Sequence, residues 1–373
     1  MHPYTHRRSN KSHRGSISVQ DRLSYIKAVH CLASLPPLST LHTTIPHPTV
    51  TSRYDEYVAA HALLTNTVHF NGLFFAWHRH FLHLYNSDLR ELCGYTGPVP
   101  YWDWTLHTAD PGASPVFDGS PTSLGGNGER VAHGVVDVSL FDRHLILEPG
   151  TGGGCVTEGP FARGKWEVHV GNPLNVTGYA SIAEYPGYNA NSSGFPYAPG
   201  IGLPSPARPY NLTSALEEQR DCLRRDLNPG WSGLTTTEAL IYLLSCDDLS
   251  CFESRTDGFE VPGASFSWNS VNKLHTAGHL VIGGLNNDVY ASAGDPAFWV
   301  HHGMVDLTWA VWQGQDLVGR VIEAGLGQTP FGDDGSEPGT RLDAVLDFAG
   351  LASAVKVGEV VSTIDGEYCY IYE

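Results

Sequence analysis

The sequence contains little charge, and positive charge is especially scarce. Of its 373 residues, 22 are Lys or Arg and 39 are Asp or Glu, which gives a net charge of −17 and a charged fraction of 16%. A typical domain has about 25% charged residues. Binding to nucleic acid phosphates needs a surplus of basic residues, which this chain lacks. No hydrophobic run approaches the roughly 20 residues of a membrane-spanning helix. We therefore expect neither nucleic acid nor a membrane as a partner.

Several common catalytic and metal-binding motifs are also missing. The chain has no Cys-x-x-Cys pair, no His-Glu-x-x-His, no Gly-x-Ser-x-Gly and no complete Gly-x-x-x-x-Gly-Lys-Ser/Thr. These absences exclude zinc ribbons, thioredoxin-like redox sites, the common zinc proteases, serine hydrolases of the nucleophile-elbow type and P-loop enzymes.

The cysteines and glycosylation sequons suggest an oxidising compartment. Seven cysteines are scattered along the chain, and we expect disulfides with one cysteine left over: Cys31, Cys93, Cys155, Cys222, Cys246, Cys251 and Cys369. Four Asn-x-Ser/Thr sequons begin at Asn10, Asn175, Asn191 and Asn211. The first residues lack the apolar core of a signal peptide. We expect the mature form of a secreted, disulfide-bonded glycoprotein.

Apolar residues recur at helical spacing in seven segments. The predicted helices span residues 17–35, 52–65, 77–92, 213–225, 235–244, 267–282 and 295–312. Ser52 and Asp55 make a capping box, and the pair Asp295-Pro296 is typical of a helix start. Residues 106–213, rich in Gly, Pro and Ser, are expected to be mostly loop, and residues 367–373 to end in a strand.

Histidines in the second half of the chain predict a metal site. His275 and His279 are four residues apart, which places two imidazoles on one face of a helix. His302 on the next predicted helix is expected to add a third ligand, with Asp306 one turn later accepting its other ring N–H. Three histidines without a cysteine or carboxylate ligand suit copper or zinc.

A second set of three histidines lies in the first half of the chain. His61, His69 and His78 fall on a helix, a loop and the following helix, so their rings can converge on one ion. Two such sets in one chain predict a binuclear centre. The nearby His80 and His83 are interpreted as packing on a helix face, and His301 as pointing away from His302.

Two long segments resemble the copper signatures of the tyrosinase/catechol oxidase (polyphenol oxidase) family. They are His69-Phe-Asn-Gly-Leu-Phe-Phe-Ala-Trp-His78-Arg-His-Phe-Leu and Asp295-Pro-Ala-Phe-Trp-Val-His-His302-Gly-Met-Val-Asp306. The segment Tyr101-Trp-Asp-Trp104 is also similar to the family's. The resemblance implies a mainly α fold, in which a four-helix bundle surrounds two copper ions and long loops and a few short strands lie outside it.

The same resemblance assigns the copper ligands and the reaction. It places the first copper on His61, His69 and His78, and the second on His275, His279 and His302. Dioxygen is then the co-substrate and small phenols are the substrates. Two copper ions about 3.5–4 Å apart suit a catechol or a two-atom ligand bridging them. Each catechol gives up two electrons and leaves as an o-quinone.

Departures from the family pattern bear on the substrate. Members that hydroxylate monophenols strongly often have Asn after the first histidine of the second copper and Glu shortly before it. Here Thr276 follows His275, and only Asn269 and Asn272 precede it, with no carboxylate after Glu260. Asn86 replaces a family Glu, and Thr67 replaces the cysteine that some fungal members link to histidine. Val289 matches the position that gates the first copper.

We therefore predict an enzyme that oxidises catechols, and also o-aminophenols, and hydroxylates monophenols slowly. The alternative is a true tyrosinase with full monophenol hydroxylation. A haemocyanin-like oxygen carrier has similar copper signatures, but a β-rich domain covers its copper. Because the chain ends just after Tyr368-Cys-Tyr370, which resembles the end of the family's catalytic domain, we expect a single domain over residues 1–373 with no such cover. The sequence leaves the oligomeric state open.

Overall fold

The computed structural model describes residues 9–44, 49–140, 143–171, 180, 212–216, 220–257, 273–322, 325–328, 338–366 and 368–373. The helices are α1 Val19–Ser34, α2 Leu41–Thr44, α3 Arg53–Val68, α4 Phe74–Glu91, α5 Leu212–Ala215, α6 Thr237–Leu244, α7 Leu249–Asp257, α8 Leu274–Ile282 and α9 Ala297–Gln313. The strands are β1 Ser9–His13, β2 Val99–Tyr101, β3 Gly128–Arg130, β4 Val136–Leu140, β5 Arg143–Leu147, β6 Gly153–Val156, β7 Val345–Leu346, β8 Val355–Lys356 and β9 Tyr370–Tyr372.

Helices α3, α4, α8 and α9 form the four-helix bundle that the family resemblance implies. Helix α4 packs on α3 and α9, and α8 packs on α9. The capping box begins α3 as predicted: Asp55 N–H donates to the Ser52 hydroxyl, and Ser52 N–H donates to the Asp55 carboxylate. The mainly α fold class is thus confirmed.

Aromatic side chains pack between α3, α4 and α9. The rings of Tyr85 on α4 and Trp299 on α9 stack with centroids 3.7 Å apart. Tyr57 on α3 meets Trp299 edge-on at 5.6 Å, and the Trp299 indole N–H donates to the Tyr54 hydroxyl at 2.9 Å. These contacts join three of the four helices, and burial of large aromatic surfaces stabilises the bundle.

A three-stranded parallel sheet holds the two ends of the described chain against the bundle. Strand β1 lies between β2 and β9 and is parallel to both. Asp306 on α9 accepts hydrogen bonds from Lys11 on β1 at 2.8 Å and from Arg79 on α4 at 2.6 Å. Burial alone would raise the pKa of Asp306, but these two cations hold it well below its usual range. Asp306 therefore links β1 to two helices of the bundle.

The described part of residues 106–213 is mostly loop, as expected, and holds two short antiparallel pairs, β4 with β5 and β3 with β6. One helix assignment needs correction. The helix predicted at 213–225 stops at Ala215, and residues 220–228 contain no helix. There Asp221 forms a bridge to Val168, and Arg224 forms one to Cys155. This non-local pairing overrides a helical spacing of apolar residues.

Disulfides form three of the expected cross-links. They join Cys31 to Cys93, Cys155 to Cys222 and Cys246 to Cys251, and Cys369 is the free thiol. The first bridge connects the C-terminal end of α1 to the residues after α4. Among the described helices, none has the length and hydropathy needed to cross a membrane.

Candidate dicopper site

The first histidine triad comes from α3, the loop after it and α4. It consists of His61, His69 and His78, all buried. Each Nδ1 lies within hydrogen-bond distance of a backbone carbonyl oxygen: His61 of Tyr290 at 2.8 Å, His69 of Thr65 at 3.0 Å and His78 of Phe74 at 2.8 Å. A carbonyl oxygen only accepts, so Nδ1 carries the proton in each neutral ring. Each Nε2 therefore presents a lone pair, the arrangement that metal ligands adopt.

The second triad comes from α8 and α9. It consists of His275, His279 and His302, and His301 lies in the same group. His275 Nδ1 lies 2.6 Å from Asp257 Oδ1, and His279 Nδ1 lies 3.2 Å from Asn286 Oδ1. The Nε2 atom of His279 is 3.0 Å from that of His275 and 3.3 Å from that of His302. Facing lone pairs at such distances repel each other unless a cation lies between them.

The two triads are adjacent. The rings of His78 and His302 stack with centroids 4.5 Å apart, and those of His69 and His275 are 6.2 Å apart. The Nε2 atoms of His61 and His78 are buried and have no hydrogen-bond partner among the described residues. Buried polar atoms without partners are rare and need an explanation. A metal ion in the first triad would satisfy these two atoms, and one in the second would separate its facing Nε2 atoms. Two adjacent sites of this kind suit a binuclear centre.

Burial keeps these histidines neutral. It lowers the pKa of His61 to about 4 and the pKa values of His69 and His275 to about 3. Burial likewise lowers the pKa values of His78, His279 and His302 well below the ordinary histidine value. Since the ligand form of histidine is the neutral ring, the site is prepared for metal near neutral pH without having to lose protons.

An open cavity leads to the triads. Its lining consists of His69, Phe70, Asp257, His275, Thr276, His279, Leu280, Asn286, Asn287, Val289 and Ser292. Both Thr276 and Val289, chosen from sequence, line it, but the gating role of Val289 stays a prediction. Asn272 lies outside the described residues. The cavity reaches both triads, because His69 of the first and His275 and His279 of the second line it.

The comparison of sequences decides the family. The family described as "Tyrosinase: Common central domain of tyrosinase" matches residues 51–315, the stretch that carries both triads. The chain belongs to the tyrosinase family. This family implies a dicopper centre, and the two triads fit it in donor type. In five of the six rings an Nδ1 hydrogen bond leaves Nε2 available to a metal.

Similar proteins in this family come from fungi. The chain is 35% identical over 372 residues to N-acetyl-6-hydroxytryptophan oxidase of Emericella nidulans, covering 96% of this chain and 90% of that protein. It is 36% identical over 363 residues to Tyrosinase P of Aspergillus terreus, with the same coverage of 96% and 90%. Its fold matches that of a polyphenol oxidase point mutant from Thermothelomyces thermophila with a TM-score of 0.77 and 33% identity, covering 98% of this chain and 89% of that one.

His301 lies in the same histidine group as the second triad, and the orientation predicted for it is wrong. It does not point away: its ring lies 4.4 Å from His279 and stacks on His275 at 5.4 Å. The Trp104 indole N–H donates to His301 Nδ1 at 3.0 Å. Because indole can only donate, Nδ1 accepts and the proton of the neutral ring is on Nε2. Neither nitrogen then offers a lone pair to a metal.

Asp306 does not orient His302, contrary to the sequence-based expectation. Its carboxylate is held by Lys11, Arg79 and the hydroxyls of Tyr370 and Tyr372. Within the described part of the chain, His302 Nδ1 has no partner. His302 and Asp306 are four residues apart on one face of α9, but their side chains contact different neighbours, so sequence spacing alone did not pair them. The packing role predicted for His80 and His83, by contrast, agrees with the structure: both rings contact Tyr368.

Asp257 is the functional residue that the sequence reasoning missed. At the end of α7, its Oδ1 accepts from His275 Nδ1, and its Oδ2 accepts from the backbone N–H of Phe70 at 2.8 Å. Burial raises the pKa of Asp257 to about 6. It lies 18 residues before His275, farther away than the short segment in which the family pattern has its carboxylate. A buried aspartate at a helix end is a weak signal in sequence alone.

Proposed function

We propose that the chain oxidises o-diphenols, and also o-aminophenols, to o-quinone-type products with dioxygen, and that it hydroxylates monophenols slowly. The observation that carries this proposal is the group beside His275. Thr276 lines the cavity there with a short hydroxyl, and each oxygen of Asp257, the neighbouring carboxylate, already accepts a hydrogen bond from the protein. Tyrosinase-family membership supports an oxidoreductase; the preference for diphenols is our own step.

The side chains of the cavity bind and orient the aromatic ring. Leu280 and Val289 provide apolar surface, while Thr276 provides a polar contact. Burial excludes bulk water from Nε2 of His61 and of His78, and Asp257 holds the proton of His275 on Nδ1. Copper bound to the six Nε2 atoms would pass four electrons from two diphenols to one dioxygen, giving two quinones and two waters.

Proton transfer separates the two substrate classes. A diphenol can lose its protons to solvent as it binds, so it needs little assistance. A monophenol has to lose its only phenolic proton before its ring can react, and a positioned base contributes about 10²–10⁴-fold to such a step. Thr276 is a poor base, so we expect kcat/KM for a diphenol to exceed that for the matched monophenol by about this factor.

Oxygen uptake by copper-loaded protein tests the proposal. The substrates are a monophenol and a diphenol with the same ring substituent, for example 4-methylphenol and 4-methylcatechol. Thr276→Asn should reduce the ratio of kcat/KM for the diphenol to kcat/KM for the monophenol, because the amide can hold a water molecule against the phenol. Thr276→Val, a matched control, should leave this ratio unchanged. Equal rates for the two wild-type substrates would contradict the proposal.

Monophenol hydroxylation at full rate is the second candidate, and one observation favours it. Asp257 and Thr276 line the cavity side by side, so a carboxylate is present where the sequence suggested none. The name of the Emericella nidulans relative assigns to that protein a substrate with one ring hydroxyl. The same oxygen-uptake measurement distinguishes the two candidates. Full monophenol hydroxylation requires rapid oxygen uptake with 4-methylphenol and a large loss of that uptake in Asp257→Asn.

We also propose that the chain is secreted. Three disulfides support an oxidising compartment. Of the four sequons, only that of Asn10 lies among the described residues, and its amide donates to Glu373 Oε1 at 2.5 Å within the parallel sheet. Any glycan is therefore expected on the later sequons. Mass spectrometry of protein from a fungal culture medium, before and after endoglycosidase, checks both points; protein found only inside the cells would contradict secretion.

A further inference from the structure

A buried ion pair lies behind the second triad. Arg225 donates from Nε and Nη2 to the two oxygens of Asp295 at 2.8 and 2.6 Å, and both side chains have 0% exposure. Arg225 also donates to the carbonyl oxygens of Gly125 and Gly126. Removing two charges from water is costly, and such a pair often adds little net stability. Its contacts toward the triad suggest a different role.

Asp295 extends the pair to both helices that carry the second triad. Its Oδ1 accepts from the backbone N–H of Ala297, the first residue of α9, at 2.8 Å. Its Oδ2 accepts from Asn286 Nδ2 at 2.8 Å. Asn286 in turn faces His279 of α8 through Oδ1. One carboxylate thus fixes the start of the His302 helix and the amide that touches His279.

The chemistry of these groups fixes the direction of each hydrogen bond. The Asp295 carboxylate, paired with Arg225, can only accept, so the amide nitrogen of Asn286 has to face it. The amide oxygen of Asn286 then faces His279 Nδ1, which must carry the ring proton. Nε2 of His279 is left with its lone pair toward His275 and His302.

We infer that Arg225, Asp295 and Asn286 form a positioning relay that selects the metal-binding tautomer of His279. The relay acts on the second triad only, since the first triad takes its tautomers from backbone carbonyls. The inference rests on the proposed copper function for its effect on metal, but its effect on the ring proton exists without metal. Partners of this kind are worth about 10–100-fold in metal affinity.

Two substitutions of Asn286 test the relay while leaving the Arg225–Asp295 pair intact. Asn286→Ala removes the amide that contacts Asp295 and His279. Asn286→Leu removes the same two hydrogen bonds but keeps most of the side-chain volume. An effect that both variants share is therefore not due to a cavity. Asn86→Ala on α4 removes an amide at a partly buried position outside the site and serves as the control. Copper titration of the metal-free proteins should show one site unchanged and one weakened about 10–100-fold in both Asn286 variants.

Nitrogen-15 NMR of the metal-free proteins reports the tautomer directly. In the wild type and in Asn86→Ala, His279 should carry its proton on Nδ1; in the Asn286 variants it should become a mixture of the two tautomers. An unchanged His279 tautomer together with two unchanged copper affinities would overturn the relay. If the wild type binds no copper, the proposed function fails, yet the tautomer measurement still decides on the relay.

Discussion

At the residue scale, the position of the ring proton decides which histidines can bind a metal. Four histidines meet near α8, and distance alone does not exclude any of them: His275, His279, His301 and His302. The Trp104 indole occupies Nδ1 of His301 and so leaves its proton on Nε2. Gly278 permits the close packing, because a Cβ there would lie 2.2 Å from the His301 ring. His301 is thus a packing neighbour of the ligands.

This assignment predicts the outcome of His301→Ala. Copper content should stay near two per chain, since none of the six ligands is removed. Stability should fall by about 1–3 kcal/mol, the usual cost of leaving a buried donor such as the Trp104 N–H without an acceptor. Metal analysis and urea unfolding measure the two quantities. Loss of one copper per chain, with the fold intact by circular dichroism, would make His301 a ligand and the assignment wrong.

The sequence was sufficient to place the six histidines in two sets but not to find their partners. Spacing and the two copper signatures led to His61, His69, His78, His275, His279 and His302, and the structure brings them together in two groups, the second of which also contains His301. Asp257, Asn286 and Asp295 reach the ligands through tertiary contacts, which no local pattern encodes. For the same reason Asp306, close to His302 in sequence, is the wrong choice as its partner.

At the element scale, the start of α3 is held by a charge pair as well as by its capping box. His169 Nδ1 lies 2.9 Å from Asp55 Oδ2, the residue that caps the helix carrying His61. This hydrogen bond raises the pKa of His169, and Glu167 acts in the same direction while burial opposes it. Thr51 also contacts the same ring nitrogen at 3.0 Å.

The raised pKa of His169 predicts a pH-dependent contribution to stability. A group whose pKa is higher in the folded state stabilises the fold fully below its unfolded pKa of about 6.5 and loses that effect as pH rises through the folded pKa. The stability difference between wild type and His169→Gln should be up to about 1 kcal/mol at pH 6 and shrink toward pH 8.5. Urea unfolding at a series of pH values measures it; a difference that grows with pH would contradict the interpretation.

Element prediction succeeded where local signals and tertiary contacts agreed. The capping box at Ser52 and the start at Asp295-Pro296 gave α3 and α9 nearly to the residue. The helix prediction for residues 213–225 failed, because the Cys155–Cys222 disulfide and the bridges at Asp221 and Arg224 hold this part of the chain against other segments. The first part of the helix predicted at 267–282 lies outside the described residues, and its remainder is α8.

At the scale of the whole molecule, the bundle brings together histidines that are far apart in the chain. His61 and His302 lie on helices separated by more than half of the sequence, and the rings of His78 and His302 nevertheless stack. The parallel sheet and the Asp306 network fix α4 against α9, so the two triads keep their relative position. A rigid frame of this kind is what a binuclear site requires.

Copper binding by the metal-free protein is the decisive measurement for the dicopper centre. We expect two copper ions per chain, held after desalting, and a near-ultraviolet absorption band on treatment with hydrogen peroxide, since two coupled copper ions are needed for that band. His78→Ala and His279→Ala should each retain one copper and lose the band. One copper or none in the wild type, or two copper ions without the band, would contradict a dicopper centre built on these six histidines.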